Sequence, residues 1–397
     1  MPGQAQVYQV CGCASDWLHL KGKGMMGQPK IVLMPGDGIG QDVMDAAHLV
    51  LDSLNLNAEY QYADIGWKFW CEEGDALPER TIAALKGATC ALLGAITSKP
   101  IAESQQELRT ELQGQNLCYR SPILRMRQMF DLYIGLRPCI AFPGNPLNYR
   151  EGLDLTVFRE NTEGLYTGIE FYPLPDDLRL AMKCYHSGIQ RFNKIPGDEI
   201  ALSLRIITAK AAQRIVKAAF TYAARYGYSK VTLVEKANVL RETSGLMIRE
   251  ALRVANDFPG VELEITNIDA QMMWLLKQPQ NYGVLLTSNL FGDILSDLCA
   301  QLVGGLGFSP SGNIGDGFAI FEPSHGSAPK YAGQYVANPI AMILSVAMML
   351  EWLNLSDKAK AVRRAVGEVI ADKRLLTHDM GGDAKTLEIA REVAVRL

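Results

Sequence analysis

A chain of 397 residues, 48% hydrophobic and 21% charged with 36 Gly and 18 Pro, is globular and long enough for one large or two medium domains. Its 39 basic and 43 acidic residues leave a net charge of -4, too even a balance for a nucleic-acid partner. No apolar run reaches the roughly 18 residues of a membrane-spanning helix, and the eight scattered cysteines include no C-x-x-C pair that would build a zinc site beside Cys11 and Cys13. Free thiols in a reducing cytoplasm fit this pattern.

Residues 1–28 lack the continuous apolar stretch of a secretory leader and read as an irregular N-terminal extension, with the folded chain beginning near Lys30. "KIVLMPGDGIG" (30–40) is an apolar strand running into a glycine-rich turn. Val43, Met44, Ala47, Leu51 and Leu54 then recur at helical spacing through 41–55. Further strands are expected at 90–96, 153–160, 230–236 and 282–289, and helices at 78–87, 208–226, 243–257, 338–352 and 357–372. This alternation predicts an α/β architecture around a largely parallel sheet. The segment 171–200 breaks the rhythm with turn and cap signals and weak periodicity, so it is expected to leave the main body, as an excursion or a dimer arm.

Gly36, Gly38 and Gly40 form G-x-G-x-G rather than G-x-G-x-x-G, and no acidic residue follows at the end of a second strand about 20 positions on. No G-K-[ST] completes a P-loop either. A tight turn feeding a helix accounts for these glycines, and they establish no nucleotide by themselves.

Charge is concentrated in four segments. "RSPILRMRQMFDLYIGLRP" (120–138) carries Arg120, Arg125, Arg127 and Arg137, with Arg127 and Arg137 flanking an apolar turn and strand. An arginine beside buried surface needs an anion, either a protein carboxylate or that of a ligand. "FRENTEGLY" (158–166) follows an apolar strand with Arg159, Glu160, Glu163 and Tyr166, and "LVEKANV" (233–239) ends one in Lys236 and Asn238. Strand ends of this kind are where open α/β sheets bind ligands. In "NLFGDILSDL" (289–298), Asp293 and Asp297 share a helix face four residues apart, where they repel unless arginines or a cation neutralise them. Oxygen ligands alone suit Mg²⁺ or Mn²⁺.

Together, "GDGIG", "FRENTEGLY", "NLFGDILSDL", "GGLGFSPSGNIG" and "FEPSHGSAPKYAGQ" resemble the isocitrate/isopropylmalate dehydrogenase family of metal-dependent β-decarboxylating dehydrogenases, from about residue 30 to the end. The resemblance implies two α/β domains around a continuous, largely parallel sheet. A large cofactor-binding domain would comprise 29–130 and 304–397, and a small substrate and dimerisation domain 131–303, with its arm at 171–205. It implies oxidation of a 2-hydroxy-3-carboxy acid followed by loss of CO₂. Asp269, Asp293 and Asp297 would be the metal ligands. Lys236, acting with an aspartate, would handle the hydroxyl proton, and Tyr166 would reprotonate the enolate. Arg127, Arg137 and Arg159 would hold substrate carboxylates. Lys236 and Asp269 would reach into a neighbouring subunit's site, which implies a homodimer.

For the cofactor, the resemblance points to 325–329 (His325, Gly326, Ser327, Ala328) and Asn338 at the adenosine end, with Ile39 in the "GDGIG" turn and Asn238 also near it. The glycines of "GGLGFSPSGNIG" are expected to be turns leading toward that loop. Lys330–Tyr331 resembles NADP-dependent isocitrate dehydrogenases and favours NADP over NAD, against which stand Ala337 and a short tail at 375–386 in which His378 is the residue able to touch a phosphate. For the substrate, Ser121 in "SPIL" keeps a serine seen in isocitrate enzymes, and an unpaired Arg120 in an apolar pocket would be costly without a third carboxylate. Isocitrate or homoisocitrate therefore leads, with 3-isopropylmalate as the alternative. A silent regulatory subunit is disfavoured because the tyrosine, the lysine and the aspartates are all present. Glu235, beside Lys236, receives no role from the sequence.

Overall fold

The computed structural model describes residues 28–397. Its strands are β1 (Lys30–Gly36), β2 (Glu59–Tyr62), β3 (Cys90–Ala95), β4 (Ile134–Ile140), β5 (Asp154–Glu160), β6 (Glu170–Phe171), β7 (Leu202–Ser203), β8 (Lys230–Glu235), β9 (Glu262–Asn267), β10 (Val284–Thr287), β11 (Pro310–Ile314) and β12 (Ala319–Pro323). All but β6 and β7 join one sheet in the order β2-β1-β3-β12-β11-β4-β5-β10-β8-β9.

Two parallel flanks, β2-β1-β3-β12 and β5-β10-β8-β9, are joined by antiparallel pairings of β12 with β11, β11 with β4, and β4 with β5. The register places Thr287 of β10 level with Arg159 of β5 and Val234 of β8. The carboxyl ends of these three strands therefore open on one edge, where polar residues escape the apolar strand interiors.

Apolar helices cover the sheet. The most buried is Ile340–Trp352, in which every residue except Glu351 is buried, as its uninterrupted apolar run leads one to expect. Val43, Ala47 and Leu51 of helix Gly40–Ser53 belong to the same core cluster. Among the described residues no helix is long and apolar enough to cross a membrane. Cys71, Cys90, Cys118, Cys139, Cys184 and Cys299 are free thiols. The extension 1–28, with Cys11 and Cys13, lies outside the described residues apart from its last member.

The glycine turn after β1 serves packing. A Cβ on Gly38, whose φ is +56°, would stand 2.0 Å from the Ser327 carbonyl oxygen, and the Ile39 N–H donates to that same oxygen at 2.8 Å. The turn thus lies directly on the 325–328 loop.

Two expectations change. "GGLGFSPSGNIG" is only partly turn. Gly304 and Gly305 have positive φ, but Pro310–Ile314 is the fully buried strand β11, admitted between β4 and β12 by its small residues. The 171–200 excursion contains a regular helix, Asp176–Tyr185, with acidic residues in its first turn and Lys183 in its last, closed by the two-stranded β6-β7 ladder. It packs on little of this chain: Leu180 and Tyr185 are exposed, while Arg179 is buried and donates to the Ile195 carbonyl at 2.6 Å.

Candidate active site

Three guanidiniums converge at the open edge. Arg127 closes the short helix Pro122–Met129, Arg137 lies on β4 and Arg159 on β5, and they are 6%, 7% and 1% exposed. Arg127 Nε donates to Asn313 Oδ1 at 2.8 Å, and its Nη2 lies 3.6 Å from Glu322. Asn313 also accepts from Asn161 at 2.8 Å and donates to Glu322 at 2.7 Å, so a buried polar network orients Arg127. Arg137 donates to Ser296 Oγ at 2.6 Å and stands 3.5 Å from both Asp293 and Asp297. Arg159 donates to Asn289 Oδ1 through Nε at 2.9 Å and Nη2 at 2.7 Å, and to Asp293 through Nη1.

The helix Asn289–Leu302 brings the carboxylates to these arginines. A Cβ on Gly292 would meet Arg159 Cγ at 2.6 Å, so glycine is what lets the helix rest on the arginine stem. The Tyr166 hydroxyl donates to Asp293 Oδ2 at 2.5 Å, and the Arg159 guanidinium lies 5.0 Å from the Tyr166 ring centre.

Electrostatics follow from this crowding. Burial pushes Arg159 and Arg127 down, and neighbouring guanidiniums add to the effect. For Asp293, burial pushes up but the arginines and the Tyr166 hydroxyl outweigh it and hold the carboxyl below its usual range. Asp297 is raised by burial, with Asp293 adding to that and Arg137 opposing it. Burial and the bond to Asp293 keep the proton on Tyr166.

Lys236 and Asp269 form a second group. Lys236 follows the end of β8, Asp269 opens helix Ile268–Lys277, and their charges meet at 2.6 Å. The Asp269 side chain is 66% exposed, and Lys236 holds it below the usual carboxylate range. Asn238 stands exposed in the same turn as Lys236. Among the described residues no three acidic, histidine or cysteine side chains gather to hold a metal. Asp269 therefore does not join Asp293 and Asp297 within one chain. The latter two are a hard-oxygen pair suited to two ligand positions of a divalent cation.

The 325–338 loop lies across the turn after β1. Asp42, buried in the first helix, accepts from the Gly333 and Tyr335 N–H groups at 3.2 and 2.9 Å. Ser327 Oγ meets Thr97 Oγ1 at 2.6 Å, and Ala328 has a φ of +37°. His325 Nδ1 lies 3.0 Å from the Gly326 carbonyl, its Nε2 is buried with no hydrogen-bond partner among the described residues, and burial pushes its pKa down. Asn338 donates to Asp379 at 3.0 Å, while exposed Lys330 sits over the Tyr331 ring.

Of the other arginines, Arg125 is committed to Asp75. Arg120 corrects an expectation, because it is exposed rather than in an apolar pocket, so water removes the cost that argued for a third carboxylate. No ion-pair partner of Arg120 occurs among the described residues. Ser121 stands half-buried before helix Pro122–Met129. Sequence reading missed Gly292, Ser296, Asn313 and Glu322. The G-x-x-x-S spacing of Gly292 and Ser296, interleaved with the two aspartates on one helix, was a signal available for the first pair.

The isocitrate/isopropylmalate dehydrogenase family model matches residues 30–393. The chain belongs to that family. Its members are dehydrogenases that depend on a metal and use NAD(P). Protein DlpA of Legionella pneumophila is 41% identical over 369 residues, covering 92% of this chain; the chain spans 58% of that relative's length. A 3-isopropylmalate dehydrogenase of Methanothermobacter thermautotrophicus is 41% identical, covering 93% of this chain and 98% of the relative. The crystal structure of isocitrate dehydrogenase from Methylococcus capsulatus superposes with a TM-score of 0.80 at 38% identity, covering 93% and 99% of the two chains. The family fold, a large and mostly parallel sheet clad in helices, is the fold of this chain.

Proposed function

We propose that the chain catalyses oxidative decarboxylation of a 2-hydroxy-3-carboxy acid, isocitrate or homoisocitrate, with hydride passing to NADP or NAD. The observation that carries this reading is the convergence of three buried arginines on two aspartates and a tyrosine hydroxyl. Three guanidiniums there meet three protein carboxylates, Asp293, Asp297 and Glu322, so a bound divalent cation would leave the site short of negative charge, which a substrate with several carboxylates supplies. Mg²⁺ or Mn²⁺ between Asp293, Asp297 and the Asp269 of a second copy would acidify the hydroxyl and offset negative charge on its oxygen, and the nicotinamide would take the hydride.

The chain's own residues do the rest. Arg127, Arg137 and Arg159 hold and orient the substrate carboxylates. Lys236 and Asp269, bonded to each other, are the pair suited to handle the hydroxyl proton in the neighbouring copy's site, which requires the Lys236 amine to have first given up its own proton. Tyr166, which keeps its proton, is placed to return one to carbon once CO₂ has left. In this reading 29–130 with 304–397 forms the cofactor side and 131–303 the substrate side. The protein works as a cytoplasmic homodimer with two shared sites.

Ser121, half-buried before helix Pro122–Met129, supports a third carboxylate, and exposed Lys330 supports a 2′-phosphate. The 41% identity to a 3-isopropylmalate dehydrogenase favours that acid as the second reading. The test assays isocitrate, homoisocitrate and 3-isopropylmalate against both nucleotides, with and without chelator, for the native chain and Asp293→Asn. We expect metal-dependent turnover, greatest with a tricarboxylate and absent in the variant. Full activity after chelation would sink the reading, and faster turnover of 3-isopropylmalate would replace its substrate.

A further inference from the structure

Glu235 is the last residue of β8, adjoining Lys236, and it is 1% exposed. A carboxylate so buried must have its lone pairs occupied. Its Oε2 accepts from Arg205 Nη2 at 3.0 Å and from Ser244 Oγ at 2.6 Å, and its Oε1 accepts from the Ser288 N–H at 3.1 Å. Arg205 in turn donates to Ser288 Oγ at 2.8 Å and to Thr243, and lies over the Phe291 ring. Ser244 Oγ also accepts from the Lys236 N–H at 3.4 Å.

Each partner lies on a different element that bears on the chemistry. Ser288 immediately precedes helix Asn289–Leu302, whose Asn289 orients Arg159 and whose Asp293 and Asp297 face the substrate arginines. Ser244 opens the helix that follows the Lys236 turn. Arg205 lies just after β7, at the return of the 171–205 excursion. One carboxylate therefore fastens the strand end that presents Lys236 to the helix that presents the aspartates, with the base of the excursion as its counter-charge.

We propose that Glu235, with Arg205, is a positioning residue that fixes where Lys236 stands relative to the Asp293–Asp297 helix. The inference rests on the reading of Lys236 as the residue that, with Asp269, handles the hydroxyl proton. If Lys236 serves a second copy while its own chain's aspartates serve the first, the Arg205–Glu235 pair is also the direct mechanical link between two active sites.

The test separates positioning from stability. A buried ion pair replaced as a unit by apolar residues commonly keeps a fold stable, whereas breaking it does not. For Glu235→Leu/Arg205→Met we expect a melting temperature near that of the native chain, kcat lower by about 10²-fold and KM for the acid within about threefold. Return of kcat together with stability would overturn the proposal. Should that variant fail to fold, Glu235→Gln is read beside Thr232→Val, a buried change on the same strand whose hydroxyl donates to Glu264. Glu235→Gln should lower kcat at unchanged KM and Thr232→Val should lower only the melting temperature; equal kcat in the two would overturn the proposal. A native chain inactive toward every acid and nucleotide would instead defeat the functional reading itself, and this inference with it.

Discussion

The Arg159 cluster and the Lys236 pair are built to opposite specifications. Arg159 is 1% exposed and each of its donor nitrogens has a partner within its own chain. Lys236 makes one ion pair, to an aspartate whose side chain is 66% exposed. Burial makes the first group part of the fold as well as the site. The second costs the fold almost nothing to lose, so its geometry has to be justified by something outside the single chain.

The largest effect should come from breaking the buried group. Arg159→Met strips Asn289 Oδ1 of both its arginine donors and takes one guanidinium from Asp293, which keeps Tyr166 and Arg137. Losing one partner of a buried pair costs about 3–5 kcal/mol, and the part-exposed Asp293 places this loss at the low end. The variant should melt well below the native chain and show no turnover. Retention of the native melting temperature would deny that this cluster supports the fold. Lys236→Met sharpens the contrast: it should melt with the native chain while kcat falls by about 10²–10⁴-fold, the range for losing a general acid–base group. A large drop in melting temperature would erase the distinction between the two groups.

A third experiment asks whose site Lys236 completes. Asp293→Asn and Lys236→Met chains, each inactive alone, are mixed, dissociated and reassociated. In a two-fold dimer with shared sites, half the dimers would be hybrids with one intact site each, restoring about a quarter of native activity. No recovery, with hybrids confirmed by mass, would mean that each chain completes its own site.

Much of this layout is legible in the residues. The long periodic segments give helices Ala209–Tyr226 and Ser356–Asp372 within a residue of expectation, because their apolar spacing records one buried face. Charged residues at apolar strand ends mark the open edge, since a charge buried there, like Arg159 or Glu235, must find partners beyond the strand. What stays hidden is pairing across long separations. Nothing near Arg125 announces Asp75, 50 residues away, or distinguishes Arg125 from Arg127, which meets Asn313 instead. Asn313 sits in a short stretch of small residues and Glu322 in a short apolar one, and their role as sheet centre depends on β11 entering between β4 and β12. The Asp176–Tyr185 helix escapes notice because it is short and framed by turn signals, Pro173 and Pro175 before it and Ser187–Gly188 after it.

The smallest effect concerns the nucleotide loop, which resembles the arginine cluster in its anchoring and the lysine pair in its exposure. Asp42 fixes its backbone through two N–H groups, while Lys330 above projects to solvent over Tyr331. Rigid backbone with a free cation suits a group that adds charge recognition without shaping the loop. A charge-assisted contact to a 2′-phosphate is worth about 1.5–3 kcal/mol when well formed, and an exposed one falls at the low end of that range. Lys330→Gln should therefore raise KM for NADP about tenfold, by the same arithmetic, and leave KM for NAD within about twofold. The melting temperature should not move, since the loop's own bonds run through Asp42. Equal loss with both nucleotides would show that Lys330 shapes the loop, and no loss with either would leave the 2′-phosphate to another cation.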